Sequence, residues 1–348
     1  MVNRIRNITY SVYILIIFFL LLGCNKDIDR VSSEEYTYIN MSLTRSSSPD
    51  ENLYNLNESR IRRVRVYIFE GERLEATLYT SFPDGENGTA NILGFPGVEI
   101  GFTPVKVRVG VKNVYAVINE PQNQTAQNLL NNISSPEDLN SLQYELLKFV
   151  SFGDKNNYCL PMFAEQTKIR VTHSSESAPI SLKLQAKRVL ARVDIYLRKQ
   201  SDIIYYIGLT PDSYLDIINS GLYGFYSPLI VPNNQLSNFY YAFSFNSKEI
   251  NSSQQLLCSF YTPERDCSAL SDKLKFSITN INNNGTIKEY TATIGADNSN
   301  INGVQNQTLN KIERNTIYQI KCVFSRTTFY IESINASIKD WEYGGELE

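Results

Sequence analysis

The sequence predicts an all-β fold made of two β-sandwiches in tandem. Most of the chain consists of short segments in which apolar and polar residues alternate, and helical periodicity is sparse. Its 348 residues exceed what one hydrophobic core usually organises. We therefore place a boundary near residue 185, with an N-terminal sandwich at 46–185 and a C-terminal sandwich at 186–348.

Alternation identifies the strands of the first half. In the first segment, Ile39, Met41 and Leu43 fall on one face and polar residues fall on the other, which is typical of a half-buried strand. The strand is predicted to stop at Leu43, and the Ser-rich, Pro-containing sequence 45–50, which begins with Arg45, predicts a loop. The predicted strands of this half are 36–43, 62–69, 74–80, 105–111, 114–118 and 180–184.

Strands joined by polar turns account for the second half. The turn sequences at 282–285 and 300–303 are rich in Asn and end in Gly, residues that tolerate positive φ. The predicted strands are 188–198, 203–209, 239–245, 256–261, 273–279, 286–294, 316–324 and 329–341.

One or two short helices are expected in the N-terminal sandwich. Ser135 can cap a helix whose first turn accepts Pro136. Leucines then recur at helical spacing, namely Leu139, Leu142, Leu146 and Leu147. A weaker helix is predicted at 126–131.

The N-terminus predicts export. Arg4 and Arg6 precede an apolar run at 8–22, which is short for a transmembrane anchor, the alternative interpretation. Because Cys24 follows the small residue Gly23, residues 1–23 resemble a bacterial lipoprotein signal peptide, and Cys24 would carry the lipid. Residues 24–45 would then form a tether and a first strand.

Composition and motifs argue against catalysis and against nucleic-acid binding. A net charge of −3 provides no excess of cations for a phosphate backbone. The one histidine, His173, lies in a polar stretch and is interpreted as an exposed loop residue rather than a general base. Residues 298–303 lack the carboxylates of a calcium loop. We expect no cofactor, no metal and no catalytic residue.

Two further groups of residues leave alternatives open. Besides Cys24 there are Cys159, Cys258, Cys267 and Cys322, which could form two disulfides in three connectivities, although Cys322 fits a small core residue. A cluster of arginines is interpreted as the solvated face of a strand, with an anionic contact as the alternative. Its members are Arg60, Arg62, Arg63 and Arg65.

A series of short motifs resembles the fimbrillin family of Bacteroidetes, which comprises major fimbrial subunits and their minor relatives. Each motif is weak alone, but they run over nearly the whole chain in the order of that family, with Arg265 as one departure. They are Cys24, Val66-Tyr67-Ile68-Phe69 with Gly71, Val114-Tyr115-Ala116-Val117-Ile118-Asn119, Leu160-Pro161-Met162, Arg188-Val189-Leu190-Ala191-Arg192-Val193, Phe260-Tyr261-Thr262-Pro263-Glu264, Arg314-Asn315-Thr316-Ile317-Tyr318 and Asp340-Trp341.

The resemblance implies two transthyretin-like domains, export as an outer-membrane lipoprotein, and polymerisation by strand exchange with other fimbrial subunits. It also implies that an Arg-specific protease removes the first strand by cutting after Arg45. A candidate donor strand lies at 330–345, where Ile334, Ala336 and Ile338 alternate with polar residues. The alternative is that this segment is the last strand of its own domain.

We therefore predict a non-enzymatic subunit of a surface fimbria that supports adhesion to a host or bacterial receptor. A shaft subunit is favoured, with an anchor or tip role as an alternative. A different class, a glycan-binding surface lipoprotein, would use exposed aromatic side chains. The candidates for that role are Tyr205, Tyr206, Tyr223, Phe225 and Tyr226.

Overall fold

The computed structural model confirms a fold dominated by strands, with two short helices in the first half of the chain. The structure describes residues 35–45, 61–81, 100–121, 124–142, 144–145, 159–219, 222–223, 239–240, 243–244, 247–266, 274–294, 311–326 and 328–338. The predicted division at residue 185 into two transthyretin-like domains stays a prediction.

The first half of the described chain contributes nine strands and two helices. They are β1 (Tyr36–Arg45), β2 (Arg63–Glu70), β3 (Arg73–Ser81), β4 (Ile100–Gly101), β5 (Val105–Arg108), β6 (Gly110–Ile118), α1 (Gln124–Asn131), α2 (Pro136–Ser141), β7 (Tyr144–Glu145), β8 (Met162–Val171) and β9 (Ile180–Arg188). Strand β8 was not predicted, because polar and charged residues interrupt its alternation and Lys168 has a positive φ of 58°.

The second half contributes the remaining strands described. They are β10 (Leu190–Lys199), β11 (Ile207–Leu209), β12 (Tyr214–Asn219), β13 (Leu222–Tyr223), β14 (Phe239–Tyr240), β15 (Phe243–Ser244), β16 (Lys248–Glu249), β17 (Gln255–Pro263), β18 (Arg265–Asp266), β19 (Leu274–Asn283), β20 (Thr286–Ile294), β21 (Lys311–Ile312), β22 (Thr316–Phe324) and β23 (Phe329–Ile338). Asn284 and Gly285, both at positive φ, form the predicted turn between β19 and β20.

The N-terminal strands form one hydrogen-bonded series in the order β3-β2-β6-β8-β9-β1-β4, with β5 also paired to β1. The link between β8 and β9 consists of two residue pairs near Arg188. An apolar cluster contains side chains from β1, β2, β6, β8 and β9, including Ile39, Val66, Val114 and Leu184. Strands β2, β6 and β8 thus share a core with β1 and β9.

The helices cover the opposite face of β2 and β6. Helix α2 begins with a capping box, in which Ser135 Oγ accepts from the Asp138 backbone N–H at 3.3 Å and Asp138 Oδ2 accepts from the Ser135 N–H at 2.9 Å. The hydroxyl of Tyr67 donates to the Leu130 carbonyl at the end of α1, at 2.7 Å. The helix that the structure describes ends at Ser141. Leu146 and Leu147, the last leucines of the predicted helix, lie outside the described residues.

The C-terminal strands form a four-stranded sheet in the order β17-β10-β22-β23 and a second sheet in the order β14-β12-β19-β11-β16, with β20 also paired to β19. Strand β10 runs parallel to β22 and antiparallel to β17. Their buried side chains, among them Ile195, Phe260 and Ile320, belong to a cluster that also includes Tyr67 and Leu130 from the first half.

Two asparagines stabilise turns, one within the first half of the chain and one at the junction between the halves, and both belong to the motifs of the family resemblance. Asn119, at φ 57°, donates to the Leu160 carbonyl at 2.7 Å and accepts from the Arg62 N–H at 2.8 Å. Asn315, at φ 58°, accepts from the Arg188 N–H at 3.3 Å and donates its own N–H to Leu190 at 3.0 Å. Asn tolerates this backbone region better than most residues, which explains its presence at both turns.

Candidate functional site

Strand β1 occupies an interior position in its sheet, and its apolar face is fully buried. Ile39, Met41 and Leu43 all have 0% exposure. They pack in the cluster that contains Val66 and Val114, so they complete the core between the N-terminal strands. The predicted alternation of this segment is therefore confirmed. We call the trough that these three side chains fill the β1 groove.

Both edges of β1 are hydrogen-bonded. On one side it runs parallel to β9 over seven residue pairs, from Ile39 opposite Ile180 to Arg45 opposite Ala186. On the other side it pairs antiparallel with β5 and β4, and the Phe102 N–H donates to the Met41 carbonyl at 2.9 Å. Removing β1 would leave unpaired backbone groups on β9 and on β4 and β5, together with an apolar trough.

A polar clamp at residues 172–174 holds the start of β1. The Thr37 hydroxyl donates to the Thr172 carbonyl at 2.7 Å. Ser174 Oγ donates to the Tyr38 carbonyl at 2.8 Å and accepts from the Tyr38 N–H at 3.1 Å. No local sequence pattern indicates this clamp, because its two parts lie more than 130 positions apart in the chain.

His173 lies between Thr172 and Ser174, the two residues that form this clamp, and is exposed, as predicted. Its Nε2 is 2.8 Å from Glu35 Oε2, and both side chains are more than half exposed. Among the described residues, no group of His, Cys, Asp and Glu side chains could hold a metal ion.

Arg45 is the last residue of β1, which corrects its assignment to a loop past a strand ending at Leu43. Its backbone pairs with Ala186, so the parallel ladder extends two residues further than the alternation predicts. Thr44 contributes here by donating to the Leu184 carbonyl at 3.4 Å. The side chain of Arg45 and residues 46–60 lie outside the described residues.

The predicted lipidation site, Cys24, and the signal peptide at 1–23 also lie outside the described residues. Among the helices that the structure does describe, neither has the length or apolarity to span a bilayer. Lipid attachment at Cys24 stays a prediction.

The predicted donor residues lie in β23, the last strand of the four-stranded sheet. Ile334 is buried and pairs with Ile320, and Ala336 is exposed opposite Tyr318. Ile338 pairs with Thr316 through its backbone, and its side chain is not described. In this monomeric state the segment is the terminal strand of its own sheet, with one edge paired to β22.

Arg65 corrects the interpretation of the arginine cluster as a solvated face. Arg65 is 6% exposed, and its guanidinium donates to both carboxylate oxygens of Glu120, at 2.8 and 2.9 Å. Burial opposes the charge of Arg65, but the hydrogen bonds to Glu120 and the attraction of its negative charge together raise the pKa of Arg65. Arg62 and Arg63 are partly buried, and Arg60 lies outside the described residues.

The described cysteines are buried and are not joined in a disulfide. Cys159, Cys258 and Cys322 are each at most 9% exposed. Burial raises the pKa of the Cys258 and Cys322 thiols, which makes both poor nucleophiles. Cys322 is the small core residue that its alternation predicts, and Cys267 lies outside the described residues.

The aromatic residues of the glycan alternative are described only in part. Tyr206 is 41% exposed, and Tyr205 is partly buried with its hydroxyl 3.4 Å from the Arg326 carbonyl. The side chain of Tyr223 is not described, and Phe225 and Tyr226 lie outside the described residues, as does the calcium-like loop at 298–303. The described part of the set provides one exposed ring, which is not yet a sugar platform.

Comparison with known proteins returns no matching family model and no matching curated protein. Solved structures are similar along most of the chain. The tip fimbrial protein Mfa3 from Porphyromonas gingivalis, truncated at its C-terminus, is 15% identical with a TM-score of 0.55, covering 88% of this chain and 100% of its own.

Two further structures extend the similarity. A fimbrilin from Porphyromonas gingivalis is 12% identical with a TM-score of 0.56, covering 86% of this chain and 96% of its own. A fimbrial assembly protein from Parabacteroides distasonis is 12% identical with a TM-score of 0.52, covering 87% of this chain and 100% of its own. The chain therefore has the fold of the fimbrial proteins of Bacteroidetes, as its motifs predict.

Proposed function

We propose that this chain is a non-enzymatic structural subunit of a cell-surface fimbria, and that it polymerises when β1 is replaced by a strand of a neighbouring subunit. The observation that carries the proposal is the interior position of β1. A sheet that loses an interior strand needs another extended segment. Otherwise the backbone groups on both edges of the gap lack hydrogen-bond partners, and the apolar side chains below it are exposed to water.

The burial of the side chains that fill the β1 groove would make such a joint durable. Ile39, Met41 and Leu43 are fully buried, and burying each such side chain contributes about 1.5 to 3 kcal/mol. Main-chain hydrogen bonds on both edges of the strand add to this stabilising free energy. An incoming strand with matching alternation would recover these contributions, and the joint would then dissociate very slowly.

Processing at Arg45 would release β1. The proposed route is export as a lipoprotein lipidated at Cys24, retention at the outer membrane, and cleavage after Arg45 by an Arg-specific protease. Because Arg45 ends the ladder with β9, a cut after it would separate the whole of β1 from the rest of the sandwich. Only the hydrogen bonds and core contacts of β1 would then hold it in place.

Strand β23 is suited to replace β1, because its sequence repeats that of β1. Ile39-Asn40-Met41-Ser42-Leu43 and Ile334-Asn335-Ala336-Ser337-Ile338 share Ile, Asn and Ser at the same positions and end in a large aliphatic residue. Read in the same direction, both the apolar and the polar positions coincide. The match assigns Ile334 to the place of Ile39, Ala336 to that of Met41, and Ile338 to that of Leu43.

The position of β23 in the monomer is compatible with this role. It is an edge strand, so it can leave β22 without opening a gap between two strands. Besides the ladder, it is held by an ion pair between Arg198 and Glu332 and by Gln200, which donates to the Tyr330 hydroxyl at 3.2 Å. The same segment would therefore be the last strand of its own sheet before assembly and the donor strand afterwards.

The structures with a similar fold include both a tip protein and a fimbrilin. We distinguish the possible roles of this chain by two features, an acceptor groove and a donor strand. A shaft subunit needs both features, and β1 and β23 are our candidates for them, which favours the shaft role. We expect its partners to be copies of itself, accessory tip and anchor subunits, and a host or bacterial surface receptor.

Arg45→Lys tests the proposal with little change in charge. Treatment of the wild-type chain with an Arg-specific protease should give a new N-terminus at Ser46 and a ladder of SDS-resistant oligomers. Arg45→Lys should resist that cut and stay monomeric under the same treatment. Persistent wild-type monomers after complete cleavage at Arg45 would overturn the proposal, as would oligomers of uncleaved Arg45→Lys.

A further inference from the structure

Strand exchange would leave a vacancy in the donor subunit as well, beside β22. In the monomer β22 lies between β10 and β23. Ile320 of β22 is fully buried and pairs with Ile334 across the edge that β23 covers. Tyr318, also buried, pairs with Ala336. When β23 enters a neighbouring subunit, this edge of β22 loses its backbone partners and part of its apolar cover.

The same step frees a strand whose sequence fits that vacancy. β1 leaves the acceptor subunit when β23 enters, so each joint produces one free β1 and one uncovered β22. Residues 39–43 of β1 match residues 334–338 of β23 in their order of apolar and polar positions. The match that suits β23 to the place of β1 therefore also suits β1 to the place of β23.

We propose that the exchange is reciprocal, so that the β1 released by the acceptor binds to β22 of the donor in the place that β23 has left. This inference rests on the proposed strand exchange and gives the released segment a binding site. The occupant of the vacated edge is the cleaved segment that ends at Arg45, and it comes from the neighbouring copy of the same chain.

The register between β22 and β23 specifies the contacts of the incoming β1. Ile39 would take the place of Ile334, which is buried opposite Ile320, so the apolar contact is restored by the same residue type. Met41 would take the place of Ala336. Because Ala336 is exposed, the longer side chain of Met41 has room there.

The polar face of β1 also suits the edge of β22. In the β1 groove, Asn40 Oδ1 is buried and has no hydrogen-bond partner among the described residues. Leaving such an acceptor buried and unpaired costs free energy. Its counterpart in β23, Asn335, is exposed. At the edge of β22, the amide of Asn40 would therefore be hydrated.

Two differences between the strands determine the order of events. In the monomer Glu332 of β23 forms an ion pair with Arg198, whereas the corresponding residue of β1, Thr37, carries no charge. β23 is also joined to β22 by the chain, which raises its effective concentration at that edge. A free β1 would therefore bind to β22 only after β23 has entered the next subunit.

The place that β1 leaves and the place that it enters lie close together at a joint. Seven steps of the chain separate Phe324, at the end of β22, from Ile331. In the register that places Ile334 at Ile39, Ile331 lies in the groove of the acceptor. Fully extended, the connection spans at most about 24 Å. The released β1 is therefore present at a high local concentration beside the vacated edge.

Two cysteine pairs locate β1 before and after assembly. Both chains carry Asn40→Cys together with Cys24→Ser. One adds Ser181→Cys, because Ser181 pairs with Asn40 in the groove. The other adds Gln319→Cys, because Gln319 pairs with Asn335 in the monomer and would pair with Asn40 after reciprocal exchange. Neighbouring Cα atoms across strands lie about 4.5 to 5.5 Å apart, which a disulfide can span.

Each chain is oxidised mildly either before treatment with an Arg-specific protease or after assembly, and mass spectrometry identifies the disulfide. Uncleaved monomers should form it through Ser181→Cys and not through Gln319→Cys. In SDS-resistant oligomers we expect the β1 peptide to be linked through Gln319→Cys, with the linkage through Ser181→Cys lost. Wild-type oligomers purified by gel filtration in native buffer should also retain about one β1 peptide per joint.

The outcomes separate this inference from the function on which it rests. Oligomers that lose the β1 peptide and show no linkage through Gln319→Cys would overturn reciprocal exchange and leave the proposed function standing. Linkage through Gln319→Cys in uncleaved monomers would also overturn it, because β23 should occupy that edge. A β1 peptide still linked through Ser181→Cys in the oligomers, or a cleaved wild-type chain that forms no oligomers, would contradict the proposed function itself.

Discussion

At the scale of single residues, the buried pair between Arg65 and Glu120 shows what a local pattern cannot reveal. Arg65 occupies a polar position in β2, and alternation alone places it in water. The partner carboxylate has 0% exposure and lies 55 residues away, just after a turn. Asn131 and Gln127 from α1 accept further hydrogen bonds from the same guanidinium, so one side chain connects β2, that turn and the helix.

Arg65→Met should therefore be strongly destabilising. It leaves the Glu120 carboxylate buried without its cation, and losing one partner of a buried pair costs about 3 to 5 kcal/mol. Urea unfolding of the full chain measures the loss. The control Arg73→Met removes an exposed pair with Glu70 and should cost less than about 1 kcal/mol. A similar small loss in both variants would mean that Arg65 is not needed to balance Glu120.

At the scale of elements, sequence alternation predicted the strand but not its neighbours. The buried face of β1 followed from Ile39, Met41 and Leu43, and the turn at Asn284 and Gly285 followed from residue type. The parallel ladder between β1 and β9 joins segments about 140 residues apart, and no local pattern encodes such a pairing. Alternation therefore located the candidate site in the sequence. The functional interpretation of β1 depends on its interior position in the sheet, which only the structure shows.

Ala336→Asp tests the role of β23 without disturbing the monomer. Ala336 is exposed in β23, so the substitution should leave the unfolding midpoint of the uncleaved chain nearly unchanged. In the proposed joint the same side chain takes the buried place of Met41, where an unpaired carboxylate is costly. We expect SDS-resistant oligomers to disappear.

Ser333→Asp is the matched control, since it adds the same charge at a partly exposed position of the same strand. In the proposed register it takes the place of Tyr38, whose side chain is partly exposed, and should still form oligomers. Normal oligomers from Ala336→Asp would show that β23 is not the donor or that its register differs.

At the scale of the whole molecule, three carboxylates distributed along the described chain share a lowered pKa. For Glu264, burial alone would raise the pKa, but hydrogen bonds from Lys311 and Arg314 bring it below the ordinary value. Glu70 behaves similarly beside Lys112 and Arg73. Hydrogen bonds from Ser134 and Ser135 at the start of α2 lower the pKa of Asp138. All three carboxylates bind protons more tightly in the unfolded chain.

Acid should therefore weaken the fold. Because the unfolded chain takes up more protons, the free energy of unfolding falls as the pH drops below about 4 and through the lower folded pKa values. Urea midpoints measured between pH 7 and pH 3 should show this fall, and Glu264→Gln should make it shallower. A Glu264→Gln curve parallel to that of the wild type would contradict the assignment of Glu264 as one of its sources.

The first residue of β1 and the first residue of β23 lie at opposite ends of the β9–β10 segment, since β1 begins beside the start of β9 and β23 begins beside the end of β10. Followed along the chain, β9 and β10 together make up about 60 Å of extended strand. In the register that places Ile334 at Ile39, Ile331 takes the place of Tyr36, and the seven steps from Phe324 to Ile331 span at most about 24 Å. We therefore expect that a chain that has lost β1 would not fill the vacancy with its own β23. Each proposed joint would then be heterologous, and an open filament would carry an unused donor strand at one terminus and an unfilled acceptor at the other.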